Sequence, residues 1–151
     1  MKLVCTKFWD MFRGACEAIP YWLISVAARV GLARVFGGSA QAHLANWQTT
    51  LYLFDNTYHV PLLPPHFAAY MAVALEVGST PLLLLGLATR LTSLALAGMT
   101  LVIEVFVFPQ AWPTHIQWAV MILVLLRWGP GPISLDALIA RYFAPKTPGG
   151  A

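Results

Sequence analysis

The stretch HFAAYMAVALEVGSTPLLLLGLA, His66–Ala88, decides the fold. Past its opening histidine it carries one charged side chain, Glu76, and it closes on the run Leu82–Leu85. A helix needs roughly 20 predominantly apolar residues to cross the hydrocarbon core of a bilayer, and this segment meets that need. Three further segments read the same way. The first, about Tyr21–Leu44, is the most polar, with Arg29, Arg34 and the Gly37-Gly38-Ser39 stretch. Another, about Leu91–Phe108, holds Glu104 and stops at Pro109. The last, about Pro113–Trp128, is short and runs into the breaker cluster Gly129-Pro130-Gly131-Pro132.

Composition agrees with these spans. Of 151 residues, 59% are hydrophobic and 10% are charged, against about 25% charged in ordinary soluble domains. A chain this short has a large surface for its volume and too few polar residues to coat it. The mean hydropathy of +0.70 is gathered into runs rather than alternating stripes. A soluble enzyme, a disordered tail and a disulfide-stapled secreted module are excluded. The net charge of +3 comes from bases that flank apolar runs. That is how topology signals are laid out, and no nucleic-acid partner is expected. Cys5 and Cys16 match no metal or redox motif. Ser39-Ala40-Gln41-Ala42 resembles a signal-peptidase site, but a signal core is not interrupted by two arginines.

The bases also give an orientation. Lys2, Lys7 and Arg13 precede the first span, Arg90 lies in the link between the second and third, and Arg127, Arg141 and Lys146 follow the fourth. The loop Ala45–Pro65 and the link Pro109–Pro113 have none. The positive-inside rule then places both termini in the cytoplasm. The expected fold is an all-α, integral membrane four-helix bundle with a short interfacial helix at each end. Residues 1–20 form a cytoplasmic interfacial segment, 21–128 the four spans, and 129–151 an amphipathic helix with a disordered tail. In that helix Ser134 serves as N-cap and Asp136 suits the first turn, ahead of the apolar stripe Leu135, Leu138, Ile139 and Tyr142. Trp47, Trp112 and Trp128 fall at the expected water boundaries.

Four ionisable residues lie inside the spans. An unpaired charge at mid-membrane costs at least ~2.5–3.5 kcal/mol on insertion scales. Arg29 and Arg34 on the first helix match, in helical depth, Glu76 on the second and Glu104 on the third. The pairs Arg29–Glu76 and Arg34–Glu104 are the expected arrangement, forming a buried polar core. Such a core either locks three helices in register or serves proton movement or a polar ligand head group. The histidines gather toward the outer side: His43 ends the first helix, His59 lies in the outer loop, and His66 and His115 open the second and fourth helices. With Met71 about a turn below His66, the set His43, His66, His115 and Met71 is a candidate for protons or for copper, though no close metal spacing is present. The outer loop, with Trp47, Tyr52, Phe54, Tyr58, Val60, Leu62 and Leu63, is too apolar to be a free linker. It is expected to fold over the mouth of the bundle. No G-x-S-x-G, Walker loop, Rossmann fingerprint, CxxC or CxxCH occurs.

The arginine-bearing first helix, Leu85-Gly86-Leu87-Ala88-Thr89-Arg90, and Gly129-Pro130-Gly131-Pro132-Ile133-Ser134-Leu135-Asp136 together resemble the DoxX family of small bacterial membrane proteins. Arg29, Glu76, Arg90, Ser134 and Asp136 fall on its pattern positions. The resemblance implies four membrane helices in the bacterial cytoplasmic membrane and a link to membrane redox work. Relatives form part of a thiosulfate:quinone oxidoreductase or act with partners in thiol and oxidative-stress defence. The chain departs from the family where relatives end the first helix on Gly-x-x-Lys-Leu; here His43 replaces the lysine. The expected function is an accessory subunit of a redox or oxidative/metal-stress assembly in the lipid bilayer, part of a quinone-linked oxidoreductase if enzymatic. Quinone is the candidate cofactor, copper the weaker one, with partner proteins or a homo-oligomer. The alternatives are a metal- or small-solute-handling membrane protein and a non-catalytic scaffold.

Overall fold

The computed structural model describes residues 2–144, with side chains from Lys7 onward. Among them there is no strand. Seven α-helices follow one another: α1 (Lys2–Glu17), α2 (Tyr21–Ala45), α3 (Trp47–Asn56), α4 (Pro65–Leu85), α5 (Thr89–Val102), α6 (Trp112–Trp128) and α7 (Leu135–Phe143). A π-helical turn, Ile103–Val107, prolongs α5, and a 3-10 turn, Pro109–Ala111, leads into α6. The tail anticipated as disordered, beyond residue 144, lies outside the described residues.

Three helical segments are long and apolar enough to cross a membrane: Tyr21–Ala45, Pro65–Leu85 and Thr89–Val107. At 17 residues, α6 extends only about 25 Å at the α-helical rise. Contacts join α2 to α4, α4 to α5, α5 to α6 and α6 back to α2, so these four close a ring. Its interior holds Leu32, Phe36, Leu83, Leu96, Ile122 and Leu125. Lipid tails are as apolar as leucine, so burial alone does not hold such helices together; close packing does. Small residues permit it. Ala28, Ala33, Ala40, Ala68 and Ala69 are buried, and at Gly37 a Cβ would stand 3.1 Å from Thr80 Cγ2, so a larger residue there would need Thr80 to give way.

Local chemistry sets the boundaries. Asn46 ends α2 in extended backbone, and its Oδ1 accepts the Thr49 N–H at 3.0 Å to start α3. The segment expected to be an outer loop therefore contains a capped helix, which packs on α4 and α2. Pro65 opens α4, where a missing N–H costs nothing. Pro81 lies inside α4, and next to it the Ser79 and Thr80 hydroxyls donate to the Glu76 carbonyl at 3.2 and 2.9 Å. The carbonyl that Pro81 leaves without its helical N–H is that of Val77, so these hydroxyl bonds fasten the turn before the proline and do not replace the missing bond. Gly86 ends α4 in the left-handed conformation, φ 66°, with Leu87 N–H returning to the Leu82 carbonyl at 2.9 Å.

Two ends of the ring are distinguishable. At the motif end, α2 and α5 begin and α4 and α6 finish. At the cavity end, α2 and α5 finish and α4 and α6 begin, with α3 lying alongside.

Candidate functional site

The expected pairs Arg29–Glu76 and Arg34–Glu104 do not form. Arg29 is buried, but its Nη2 donates to the Ile133 carbonyl at 2.6 Å, and Nη1 reaches the Leu83 and Leu84 carbonyls at 3.5 Å. Arg34 is exposed on the outside of α2 and bonds to no described residue, so it does not belong to a buried core. Matching residues by depth alone overlooked direction. Side chains on an α-helix lean toward its N-terminus. On α2 that is the motif end, and on the antiparallel α4 it is the cavity end. Arg29 and Glu76 therefore lean away from each other even at similar depth.

The same rule explains what Glu76 does meet. Ser39 and His43 stand further along α2 and lean back toward the carboxylate. Ser39 Oγ donates to Glu76 Oε1 at 2.7 Å, and His43 Nδ1 is 2.9 Å from Oε2. Glu76 is 2% exposed, so its polar oxygens depend on those bonds. A second pair joins α6 to the π turn: His115 Nδ1 lies 2.5 Å from Glu104 Oε2. The π turn inserts an extra residue at Glu104, a device common at functional sites. In each pair Nδ1 and a carboxylate oxygen share one hydrogen bond. No described residue bonds either Nε2, and neither atom is sealed off in the protein.

Both imidazoles border one cavity of about 500 Å³ at the cavity end. Its wall is apolar, from Leu75, Met99, Ile103, Phe108 and Trp118 among others, with Ser39, His43, Glu76 and His115 as the polar groups. Phe54, Tyr58, Val60 and Leu63 close it from the α3 side. Burial pushes the Tyr58 phenol up, with the Glu76 carboxylate adding to the effect, so the phenol stays protonated at neutral pH. His115 also borders a smaller groove of about 280 Å³ between α5 and α6, where Glu104 lies. The His115–Glu104 pair thus links cavity to groove.

The histidine set divides. His43, His115 and Met71 line the cavity. His66 does not; it sits at the surface with Nε2 3.0 Å from Asp55 Oδ2. His59 is exposed. Among the described residues no three His, Cys, Asp or Glu side chains are placed to hold a metal. The His–carboxylate pairs were missed because the sequence reading matched acids only to arginines.

The remaining motif residues meet at the other end. Asp136 accepts the N–H of Ala88 at 2.7 Å and of Thr89 at 2.9 Å, capping α5 from α7. In return its own N–H bonds the Gly86 carbonyl at 3.0 Å. Ser134 Oγ accepts Ala137 N–H at 3.2 Å and donates to the Gly131 carbonyl at 2.7 Å. Tyr21 Oη donates to the Gly129 carbonyl at 2.5 Å, and the Arg90 side chain lies against Gly129. A Cβ on Gly86 would collide with Arg29 and Ser134. This is a clasp between the 129–134 loop and the ends of α2, α4, α5, α6 and α7.

A chain built of several apolar spanning-length helices, closed around a polar-edged cavity, is a membrane protein. The sequence model of the DoxX family matches residues 24–109. The chain belongs to the DoxX family. Arg29, Glu76 and Arg90 lie within the matched region, and Ser134 and Asp136 beyond it. No curated protein and no solved structure matches the chain.

Proposed function

We propose that the protein is a four-span subunit of a redox or stress-response assembly in the bacterial cytoplasmic membrane, both termini cytoplasmic, with a lipid-soluble quinone held in the cavity. In this reading α6 is the fourth span, and α1 and α7 lie along the cytoplasmic surface. The supporting observation is an apolar cavity of about 500 Å³ onto which two histidines from different helices face, each backed by a carboxylate. Cavities of roughly 300–1,000 Å³ with few polar groups suit molecules of that size. The donor set fits a ring bearing two carbonyls. His43 and His115 would orient it through Nε2, donating to a quinone carbonyl from a ring protonated on both nitrogens and accepting from a quinol hydroxyl when Nε2 is bare, while Glu76 and Glu104 would hold the imidazoles in place and stabilise a proton on Nδ1. A bound quinone supplies two-electron, two-proton chemistry. Glu104, through the α5–α6 groove, gives the His115 proton a route to the outside.

The test is titration of ubiquinone-1 into the protein in phosphatidylcholine nanodiscs, read by quenching of tryptophan fluorescence, since Trp118 lines the cavity. Saturable quenching is expected, weakened about tenfold in a His43→Ala/His115→Ala variant, the value of a hydrogen bond or two. Absence of saturation, or equal affinity in the variant, refutes the reading. Copper is the second reading, favoured by one observation: His43, His115 and Met71 share that cavity. Cu(I) titration of the same two proteins decides it, and equal weak binding ends it.

A further inference from the structure

Arg34 stands apart from every other charge in the spans. All six carboxylates of the chain lie among the described residues. Glu76 and Glu104 are held by histidines, Asp55 lies beside His66, Glu17 beside Arg13, and Asp136 caps α5. Asp10 is on α1, and no carboxylate lies within ion-pair distance of Arg34. Arg34 is five residues beyond Arg29, which turns it about 140° away from the ring interior. It shares an outward face with Leu23, Ala27, Val30 and Gln41, all exposed. Along α2 it lies roughly 20 Å from Tyr21 and roughly 16 Å from Ala45, further than an arginine side chain reaches toward either end. Near it the face is low, because Gly38, one turn on, has open space where a Cβ would be.

We propose that this face of α2 is an interface for a membrane-spanning helix of another protein that carries an Asp or Glu near its middle. A guanidinium amid hydrocarbon is stabilised by an ionised carboxylate at the same depth, and the pair is strong because no water competes. A second copy of this chain does not fit, since both of its in-span carboxylates are already engaged by histidines inside the ring. Gln41, two turns from Arg34, offers a further hydrogen bond to the same helix. The inference is independent of what fills the cavity.

The test uses the full chain with Cys5→Ser, labelled at the exposed Cys16, in phosphatidylcholine vesicles at neutral pH. The probes are two synthetic polyleucine spanning helices that differ only in a central Glu or Gln, with energy transfer as the readout. The Glu helix is expected to associate about tenfold more tightly than the Gln helix. Arg34→Leu and Arg34→Gln are expected to erase that preference, and Arg34→Lys to keep part of it. Arg34 is exposed, so Arg34→Leu leaves the packing alone; an unchanged size-exclusion profile verifies this. Equal association of the two helices overturns the proposal, as does a preference that survives Arg34→Leu. So does an Arg34 effect seen only in phosphatidylglycerol vesicles, which assigns the residue to lipid head groups. Self-association of the wild type that Arg34→Leu abolishes also overturns it, in favour of a second copy.

Discussion

The two ends of the helical ring spend their polar side chains differently. At the motif end Tyr21, Arg29, Ser134 and Asp136 bond almost wholly to backbone: carbonyls of residues 83, 84, 129, 131 and 133, and the N–H groups that open α5 and α7. At the cavity end Ser39, His43, Glu76, Glu104 and His115 bond to one another across helices. A side chain that satisfies a backbone group fixes where the chain turns. Pairs of side chains that leave a ring nitrogen facing a cavity remain available to a ligand. The motif residues Arg29, Arg90, Ser134 and Asp136 are therefore placed to build the fold, while the proposed chemistry rests on Glu76 and four residues outside that motif set.

If that contrast holds, substitutions at the two ends separate into losses of stability and losses of binding. The largest effect is expected at Gly86. Gly86→Val places a β-branched residue at φ 66° and drives its Cβ into Arg29 and Ser134. Left-handed backbone costs about 1–2 kcal/mol and overpacking about 1–3 kcal/mol, so a loss of about 3 kcal/mol or more is expected. Thermal unfolding in detergent, followed by size exclusion, measures it. A wild-type midpoint would mean that the clasp does not hold the ring.

Asp136→Ala should come next. It removes two charge-assisted bonds to the first turn of α5, each worth about 1.5–3 kcal/mol, less what water recovers at a half-buried site. A loss of about 2–3 kcal/mol is expected, with the ubiquinone-1 affinity of the folded fraction unchanged. His43→Ala/His115→Ala should show the opposite: a smaller midpoint shift and a lost affinity. Should Asp136→Ala and the histidine variant change both quantities alike, the division between the ends fails.

How much of this was legible follows from what a sequence encodes. Three of the four expected spans were readable from run length, and Ser134 and Asp136 from helix-start chemistry, although Asp136 caps the helix of another segment rather than its own. Depth along each helix was readable too, because rise per residue is fixed. Azimuth and lean were not combined with depth, so Arg29 was matched to Glu76, when antiparallel helices lean their side chains apart. Arg34 was turned inward by the same matching, although its position 140° from Arg29 already made it hard for both to face the interior. The capped helix Trp47–Asn56 was hidden in an apolar loop, yet Asn46 three residues before Thr49 is a start signal. The π turn at Glu104 has no local signature; it accompanies a contact made from α6, Glu104 with His115.

The smallest expected effect sharpens the cavity end itself. Met71 is exposed and lines the same cavity as His43 and His115. Met71→Leu keeps volume and apolar character, so stability should change by less than about 1 kcal/mol. A quinone ring is contacted there by surface alone, and ubiquinone-1 affinity should stay within about twofold of wild type. Soft sulfur, by contrast, is what favours Cu(I) over harder ions. If Met71→Leu leaves quinone binding intact and Cu(I) binding equally weak, the cavity end is a proton-and-hydrogen-bond site whose chemistry rests on the two His–carboxylate pairs. A Cu(I) affinity that drops tenfold in Met71→Leu, with ubiquinone-1 failing to saturate, would instead make the imidazoles metal ligands and reduce Glu76 and Glu104 to groups that hold their rings in place.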